Sequence, residues 1–318
     1  MKNKIFFLEV FDEDKETVYN RFPEAQVFEK LNEQEVIDKC HEAEILCVFA
    51  HSKITAEVIE SLPNLKIVVT RSVGYDHIDL GAANRKGVVV ANVPDYGSYV
   101  ISEFVFALLL SGLRHIGDGN KRVGKNGDFS PIGLKGFALK GKTMGVIGTG
   151  KIGKNVARIA SMGFLMNVIA YDKYPNQEAA EENHFLYVDL KTIWEKSDII
   201  TLHCPLLPST EHMINEESLS EMKDGVVIVN TSRGKIIKTK AIVPALKSGK
   251  VSYAFLDVLE HENNIAKDKE LIELPNVITT PHIAFYADDS MQKMYASAFE
   301  SIDEYIKGET IKNKVVGF

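Results

Sequence analysis

Short apolar runs alternate with segments of helical periodicity along most of the 318-residue chain. In the N-terminal third, such runs predict strands at residues 5–8, 45–49, 67–70 and 88–92. Helices are predicted between them, at residues 13–22, 55–61 and 79–86, with Thr55 as an N-cap and Gly87 as a stop. Repeated strand–helix units predict a parallel sheet covered by helices on both faces.

A second series of strands and helices begins near residue 144. A long helix with few charges, residues 98–114, separates the two series, and we expect it to be buried against another domain or subunit. The stretch 117–142 is rich in Gly and Lys and is predicted to be a surface connection. The second series predicts strands at 144–147, 168–171, 199–202, 226–230, 254–257 and 277–280, and helices that include 150–162, 238–248 and 290–307. Two series in 318 residues indicate two domains.

Composition excludes several classes of partner. The chain has 37 basic and 44 acidic residues and a net charge of −7, without a basic cluster, which argues against a nucleic-acid partner. Cys40, Cys47 and Cys204 form no paired framework, as is typical of a reduced, cytoplasmic setting. We find no targeting segment at the N-terminus. The apolar stretch 104–113 is shorter than the roughly 20 residues of a membrane span, so we predict no membrane partner.

The strongest local signal is a glycine-rich loop directly after a predicted strand. Gly148, Gly150 and Gly153 form G-x-G-x-x-G at the start of a predicted helix. This spacing permits a tight turn, a close approach of the backbone to a pyrophosphate, and close packing of the helix on the strand. The helix N-terminus adds free N–H groups for phosphate. The candidate cofactor residues of this loop are Gly148, Thr149, Gly150, Lys151, Ile152 and Gly153.

An acidic residue follows the loop at the position expected for a dinucleotide site. Asp172 ends the next predicted strand, 19 residues after Gly153. A carboxylate there is placed to bond the adenosine ribose hydroxyls, and its charge would repel a 2′-phosphate. The predicted cofactor is therefore NAD rather than NADP. A glycine turn without a ligand is the alternative, and the strand, helix and acid together argue against it.

Three further segments follow predicted strands of the second series. They are V-N-T-S-R-G-K from residue 229, F-L-D-V-L-E-H-E from residue 255 and T-P-H-I-A-F-Y from residue 280. Ligands of open α/β sheets bind outside the carboxyl ends of the strands. Arg233, Glu262 and His282 are therefore expected to face one crevice.

With these segments, the chain resembles the D-isomer-specific 2-hydroxyacid dehydrogenases, and within them the D-lactate and D-2-hydroxyisocaproate dehydrogenase branch. The resemblance rests on T-R-S-V-G-Y-D-H-I-D, N-V-P-D-Y, G-V-I-G-T-G-K-I-G, L-H-C-P-L, N-T-S-R-G, D-V-L-E-H-E and P-H-I-A-F-Y, in this order. It implies an α/β protein with two doubly wound parallel-sheet domains. A Rossmann NAD domain, residues 98–285, would be inserted into a discontinuous flavodoxin-like substrate domain, residues 1–97 and 286–318. It also implies a homodimer formed through the NAD domains, with helix 98–114 taking part.

The implied chemistry suits the residue types. Arg233 would bind the carboxylate and carbonyl of a 2-keto acid, His282 would protonate the carbonyl oxygen, and Glu262 would orient the imidazole. A surface ion pair for Arg233 and a structural role for His282 are the plainer alternatives. Glu260 competes with Glu262, and the family's spacing of five residues after Asp257 selects Glu262. Asn263 stands where many relatives have proline, which leaves the local turn uncertain.

The resemblance also assigns smaller roles. Val73 and Gly74 would offer backbone donors to the substrate carboxylate, although Gly74 also suits a plain turn. Tyr96 and Phe285 would contact substrate, or be core aromatics. Asp257 would bond the nicotinamide amide, and His203 would lie near the cofactor or serve structure alone. The remaining positions implied to line the NAD cleft are Cys204, Pro205, Thr210, Thr231 and Ser232.

The sequence also offers one apparent metal site and two alternative functions. Asp76, His77 and Asp79 superficially resemble a metal site, but their spacing favours helix capping, and no metal is predicted. An NADH-binding regulator similar to the family's corepressors is the alternative outside enzymes, although the chain has no basic surface. Within enzymes, glycerate, phosphoglycerate or formate dehydrogenases are the alternative, and the aromatic pair after His282 favours the lactate-like branch.

Overall fold

A computed structural model describes residues 4–316. Residues 1–3 and 317–318, which belong to the predicted substrate domain, lie outside this description. The chain divides into two compact units. The terminal unit holds the described residues up to Gly97 and those from Ala287 onward, and the central unit is Ser98–Tyr286.

The terminal unit begins with a parallel five-stranded sheet in the order β2-β1-β3-β4-β5. A polar residue just before an apolar helical segment predicts an N-cap, and the third and fourth helices of this unit have one. The Thr55 side chain accepts the Val58 amide, and the Asp79 side chain accepts the Ala82 amide. Gly87, with φ of +71°, ends the fourth helix. The elements are β1 (Ile5–Phe7), α1 (Lys15–Arg21), β2 (Gln26–Val27), α2 (Glu33–Lys39), β3 (Ile45–Val48), α3 (Ala56–Ser61), β4 (Ile67–Thr70), α4 (Leu80–Lys86) and β5 (Val89–Ala91).

The central unit is a parallel seven-stranded sheet between helices. Its first elements are α5 (Ser98–Leu113), α6 (Ile116–Asn126), β6 (Thr143–Ile147), α7 (Lys151–Arg158), β7 (Asn167–Tyr171), α8 (Gln177–Glu182), β8 (Leu186–Tyr187) and α9 (Leu190–Lys196). They are followed by β9 (Ile199–Leu202), α10 (Glu216–Glu221), β10 (Val226–Asn230), α11 (Thr239–Ser248), β11 (Val251–Leu256), α12 (Lys269–Ile272) and β12 (Val277–Thr279). The order β12-β11-β10-β9-β6-β7-β8 reverses direction at β6, so a topological switch point lies between β6 and β9.

The last helix, α13 (Asp288–Lys307), returns to the terminal unit and packs on its sheet. Phe299 meets the ring of Phe7 edge-on, with 6.0 Å between the ring centroids. The fully buried Arg71, directly after β4, donates from Nη1 to the Tyr295 hydroxyl at 2.6 Å and from Nη2 to the Glu9 carbonyl at 2.8 Å. A buried guanidinium therefore joins the segment after the first strand, the end of the fourth strand and α13.

The predicted fold class is confirmed: two parallel α/β sheets are present, and the central one is inserted into a discontinuous one. Residues 117–142 were predicted to be a surface connection, and α6, an exposed helix, covers most of their first half. This helix buries none of its residues and contains three glycines, which lower helix propensity. Arg122 anchors the following loop by donating to the carbonyls of Ser130 and Ile132.

One face of helix α5 packs within its own unit, and the predicted contact with another domain or subunit stays a prediction. Its buried residues join a core cluster with α7 and the strands of the central sheet, and a Cβ at Gly112 would lie only 2.0 Å from the Phe255 ring. Among the residues described, no single helix is long and apolar enough to cross a bilayer, although the bent pair α5–α6 together meets that length and composition.

Candidate active site

The glycine-rich loop joins β6 to α7 with little room for side chains. Gly148 has φ of +92°, and a Cβ there would lie 2.6 Å from the Cys204 amide nitrogen. A Cβ at Gly153 would lie 1.9 Å from the Gly148 carbonyl oxygen, so the helix packs directly on the turn. A Cβ at Gly150 would meet nothing within 4 Å. The loop is therefore closed on the protein side and open above Gly150.

The open side suits a dinucleotide. Gly150 begins α7 with no side-chain cap, so the backbone donors of the first turn are left to an anionic ligand. The Thr231 hydroxyl is buried, and within residues 4–316 it has no hydrogen-bond partner, which is unusual unless a ligand completes it. Both observations fit bound NAD. Lys151 and Ile152, the other predicted residues of this loop, form the first turn of α7.

Asp172 is held beside the glycine-rich loop, one residue after β7. Its Oδ2 accepts the Thr149 amide at 2.6 Å and the Thr149 hydroxyl at 3.0 Å, and its Oδ1 accepts the Tyr174 amide at 2.8 Å. The Tyr187 hydroxyl lies 2.7 Å from the Thr149 hydroxyl. Three donors thus fix the orientation of the carboxylate that was predicted to select NAD.

The loop after β9 is internally bonded. The Thr210 hydroxyl donates to the Pro205 carbonyl at 2.6 Å and accepts the Leu207 amide at 2.8 Å. Burial raises the pKa of the Cys204 thiol to about 11, so this cysteine is neutral and unreactive. Burial lowers the pKa of His203 to about 3, and its Nε2 lies 2.9 Å from the Thr201 hydroxyl. His203 packs behind the glycine-rich loop, because its carbonyl oxygen lies 2.8 Å from where a Cβ of Gly148 would be.

The Arg233 turn follows β10 and is organised by Asn230. The Asn230 side chain is fully buried, accepts the amide and hydroxyl of Ser232 at 2.9 Å each, and donates to the Arg233 carbonyl at 2.9 Å. Arg233 itself keeps an extended backbone, and its Nη1 donates to the Ser232 carbonyl. Asn230 was missed from sequence, although an Asn at the end of a strand before a turn is a recognisable Asx-turn signal.

The His282 turn is built on Asp257. The Asp257 Oδ1 accepts the Thr280 hydroxyl at 2.6 Å and the Ile283 amide at 2.9 Å, and Oδ2 accepts the Ala284 amide at 2.8 Å. Burial raises the pKa of the Asp257 carboxyl, although these hydrogen bonds oppose the shift. His282 has φ of +54°, a strained backbone for a residue other than glycine. A bond to the nicotinamide amide, predicted for Asp257, stays a prediction.

His282 and Glu262 form a pair in the central unit. The Nδ1 of His282 lies 3.4 Å from Oε2 of Glu262, and Oε1 of Glu262 accepts the Leu259 amide at 3.3 Å. Glu260, the competing acid, points elsewhere: Oε1 lies 2.7 Å from His212 Nε2, and Oε2 accepts the Thr239 amide at 2.7 Å. The geometry thus separates the two glutamates. The Phe285 ring lies edge-on to His282, with 6.2 Å between the ring centroids.

Hydrogen bonds connect the segments that follow β10, β11 and β12. The Asp257 amide donates to the Asn230 carbonyl, and the His282 amide donates to the Asp257 carbonyl, both at 2.9 Å. A Cβ at Gly234 would lie 1.9 Å from the Leu259 carbonyl oxygen, so the Arg233 turn packs against the loop that carries Glu262. The three segments therefore share the carboxyl edge of the sheet with the glycine-rich loop.

The other predicted substrate residues belong to the terminal unit. Val73 and Gly74 follow β4, where the Val73 carbonyl accepts the Asn92 side-chain amide at 2.8 Å and the Gly74 carbonyl accepts the Ser72 hydroxyl at 2.6 Å. Tyr96 is buried after β5. In the supposed metal motif, Asp79 caps α4 and the ring of His77 lies 3.1 Å from the Thr70 hydroxyl. The capping role predicted for Asp79 is confirmed.

The central sheet, its glycine-rich loop and its acidic β7 end define a dinucleotide-binding α/β protein. A sequence model described as "D-isomer specific 2-hydroxyacid dehydrogenase, NAD binding domain" matches residues 106–284. The chain belongs to the D-isomer specific 2-hydroxyacid dehydrogenase family, and NAD is its cofactor.

Individual relatives show how far the similarity extends. The chain is 40% identical over 276 residues to the 2-hydroxyacid dehydrogenase homolog 2 of Schizosaccharomyces pombe, covering 82% of each chain. It is 41% identical over 261 residues to the hydroxypyruvate reductase of Blautia hydrogenotrophica, covering 80% of each. The solved structure of D-lactate dehydrogenase from Aquifex aeolicus, complexed with NAD and lactic acid, matches 99% of this chain and all of its own, with 34% identity and a TM-score of 0.90.

Proposed function

We propose that this protein reduces a small 2-keto acid to the D-2-hydroxy acid with NADH, as a D-lactate dehydrogenase does. The observation that carries the proposal is the pairing of His282 with Glu262 at 3.4 Å, at the sheet edge that also carries Arg233 and the glycine-rich loop. An imidazole with a carboxylate at one nitrogen is suited to give a proton from the other.

The proposed mechanism divides the work among three side chains. Bound NADH supplies the hydride for the carbonyl carbon. His282 donates a proton from Nε2 to the carbonyl oxygen as negative charge develops there, and takes it back in the reverse reaction. Glu262 orients the ring through Nδ1 and stabilises its protonated form. Arg233 holds the substrate carboxylate and polarises the carbonyl, because its planar guanidinium offers two parallel donors.

The substrate's side chain is proposed to be small and apolar. In this proposal the backbone amides at Val73 and Gly74 bind the substrate carboxylate together with Arg233, while Tyr96 and Phe285 line the side-chain pocket. The lactic acid complex named for the A. aeolicus enzyme supports lactate as the product. The B. hydrogenotrophica enzyme's name supports hydroxypyruvate as the second candidate substrate. The remaining cleft roles are proposed for Cys204, Pro205, Thr210, Thr231, Ser232 and Asp257.

We also propose a cytoplasmic homodimer joined through the central units. The stretch after α6 carries Phe129 and Ile132, which are 90% and 81% exposed in the single chain. Large apolar side chains at such exposure support a covering partner surface. A regulator that binds NADH without turnover remains the alternative from another class, and it predicts NADH binding without oxidation.

The decisive assay follows NADH absorbance with pyruvate, hydroxypyruvate, 2-ketoisocaproate and phenylpyruvate, and determines the chirality of each product. We expect turnover, a D product, and the largest kcat/KM for a small keto acid. His282→Asn is the matched variant, because Asn tolerates the positive φ and cannot act as the acid. It should lower kcat at least a hundredfold while NADH still binds. Absence of NADH oxidation with every keto acid would refute the enzymatic function.

A further inference from the structure

His212 connects two segments of the proposed site without belonging to either. It lies between β9 and α10, and its φ of +52° is unusual for a residue other than glycine. Its amide donates to the Lys235 carbonyl at 2.8 Å, two residues after Arg233. Its Nε2 lies 2.7 Å from Oε1 of Glu260, two residues before Glu262. One residue thus bonds the Arg233 turn with its backbone and the Glu262 loop with its ring.

Glu260 is fixed on its other side as well. Its Oε2 accepts the Thr239 amide at 2.7 Å, at the first residue of α11, where the helix dipole favours an anion. Burial opposes its ionisation, but the hydrogen bonds from Thr239 and His212 lower the pKa of Glu260 overall. Glu260 is therefore an ionised group with both oxygens engaged, and it is only slightly exposed.

A second anchor holds the residue between the two glutamates. The Asp268 side chain is fully buried; its Oδ2 accepts the His261 amide at 2.9 Å, and its Oδ1 accepts the Thr239 hydroxyl at 3.0 Å and lies 2.9 Å from His261 Nδ1. Asn263 follows Glu262, so no proline ring restricts the turn at that point. The loop that carries Glu262 is fixed instead by the hydrogen bonds that Glu260 accepts and by those between His261 and Asp268.

We propose that the His212–Glu260 pair is a positioning device that sets the separation between Arg233 and the Glu262–His282 pair. The inference rests on the proposed function, because it takes Arg233, Glu262 and His282 as the reacting groups. Glu260 and His212 act through the segments that they hold. The close packing of Gly234 on Leu259 and Glu260 means that a shift of one segment moves the other.

The expected effect is on turnover rather than on cofactor binding. A partly exposed pair of polar side chains contributes little to global stability. A displacement of about 1 Å at a reacting group can lower the rate on the order of a hundredfold. Neither residue is itself a proposed contact of NAD, so we expect a much larger effect on kcat than on the Kd of NADH.

The test compares Glu260→Ala, Glu260→Gln and His212→Asn with Glu262→Gln. Glutamine can keep both contacts, because its carbonyl accepts the Thr239 amide and its NH₂ can donate to the His212 ring. Asparagine tolerates the positive φ at 212 and is too short to reach Glu260. We expect Glu260→Ala and His212→Asn to lower kcat at least tenfold, with the Kd of NADH within twofold of wild type, and Glu260→Gln to recover most of the loss.

Two further variants sharpen the result. The double variant Glu260→Ala with His212→Asn should be no slower than the worse single variant, because either substitution alone already removes the contact between the two side chains. Glu216→Gln removes the exposed ion pair to Lys238, 2.9 Å long, between neighbouring helices, and should behave as wild type.

Three outcomes would overturn the inference. If Glu260→Ala and His212→Asn turn over as wild type while Glu262→Gln and His282→Asn are slow, the pair positions nothing. If Glu260→Gln is as slow as Glu262→Gln, Glu260 itself takes part in proton transfer. If His282→Asn and Glu262→Gln also turn over normally, the proposed function fails, and the positioning inference fails with it.

Discussion

Lowering the pH should destabilise the central unit through His203 in particular. Its imidazole has a pKa of about 3 in the folded protein, lowered by burial from 6.5. Between these values the unfolded chain binds a proton that the folded chain does not, so the free energy of unfolding falls as the pH falls. This contribution is lost progressively below pH 6.5 and levels off only near pH 3. Replacement by glutamine, which does not titrate, should remove it.

The two pKa values set the size of the effect. In the steepest part of the window the slope is about 1.4 kcal/mol per pH unit. Integrated from pH 6.5 to about pH 5, His203 lowers the free energy of unfolding by up to roughly 1.6 kcal/mol. Because His203 is partly exposed in the structure, about 1.6 kcal/mol is the upper bound.

Urea unfolding measured at several pH values would test the prediction. Trp194, the single tryptophan, is buried in α9, so its fluorescence reports the central unit. Wild type and His203→Gln are compared without NADH, and His41→Gln, at an exposed position, serves as the control. The difference between wild type and His203→Gln should shrink or reverse as the pH falls. Parallel curves for all three proteins would show that His203 titrates normally and refute the reasoning.

Three further predictions concern the cofactor and the assembly. Asp172→Ala should weaken NADH binding about ten- to a hundredfold and NADPH binding much less, because charge-assisted hydrogen bonds to the ribose are worth about 1.5–3 kcal/mol; an unchanged ratio of the two Kd values would assign the selection to another residue. Gly153→Ala should weaken NADH binding at least tenfold in a fluorescence titration, because its Cβ would lie 1.9 Å from the Gly148 carbonyl oxygen; tight binding would contradict the close packing. Phe129→Glu and Ile132→Glu should give monomers in sedimentation velocity, and an unchanged dimer would place the interface elsewhere.

Much of the central sheet could be predicted because its strands are continuous apolar runs. The strands β9 and β10 match their predicted bounds, and α7 follows from the glycine spacing. The short strands β2 and β8, two residues each, are too brief to show a pattern. Helix α2 carried an available signal, the Asn32–Glu35 capping box, which was overlooked. Periodicity failed at α6, where no face is buried.

The proposed catalytic residues could be predicted from sequence, but the residues that hold their loops in place could not. Arg233, Glu262 and His282 follow strand ends, a position that sequence order reveals. His212 and Asp268 belong to other loops, and their partners become apparent only when the chain is folded. The positive φ of His282 likewise has no sequence signal, and the hydrogen bonds that its neighbours make to Asp257 form only when the chain is folded.

The guanidinium of Arg71 has a consequence for the order in which the chain folds. Its partners come from Glu9, near the N-terminus, and from Tyr295, more than two hundred residues later. During synthesis the central unit is complete before α13 emerges, whereas the terminal unit still lacks the Tyr295 hydroxyl that accepts the hydrogen bond from Arg71. We therefore expect the first ninety or so residues to reach their final packing only after α13 has been synthesised.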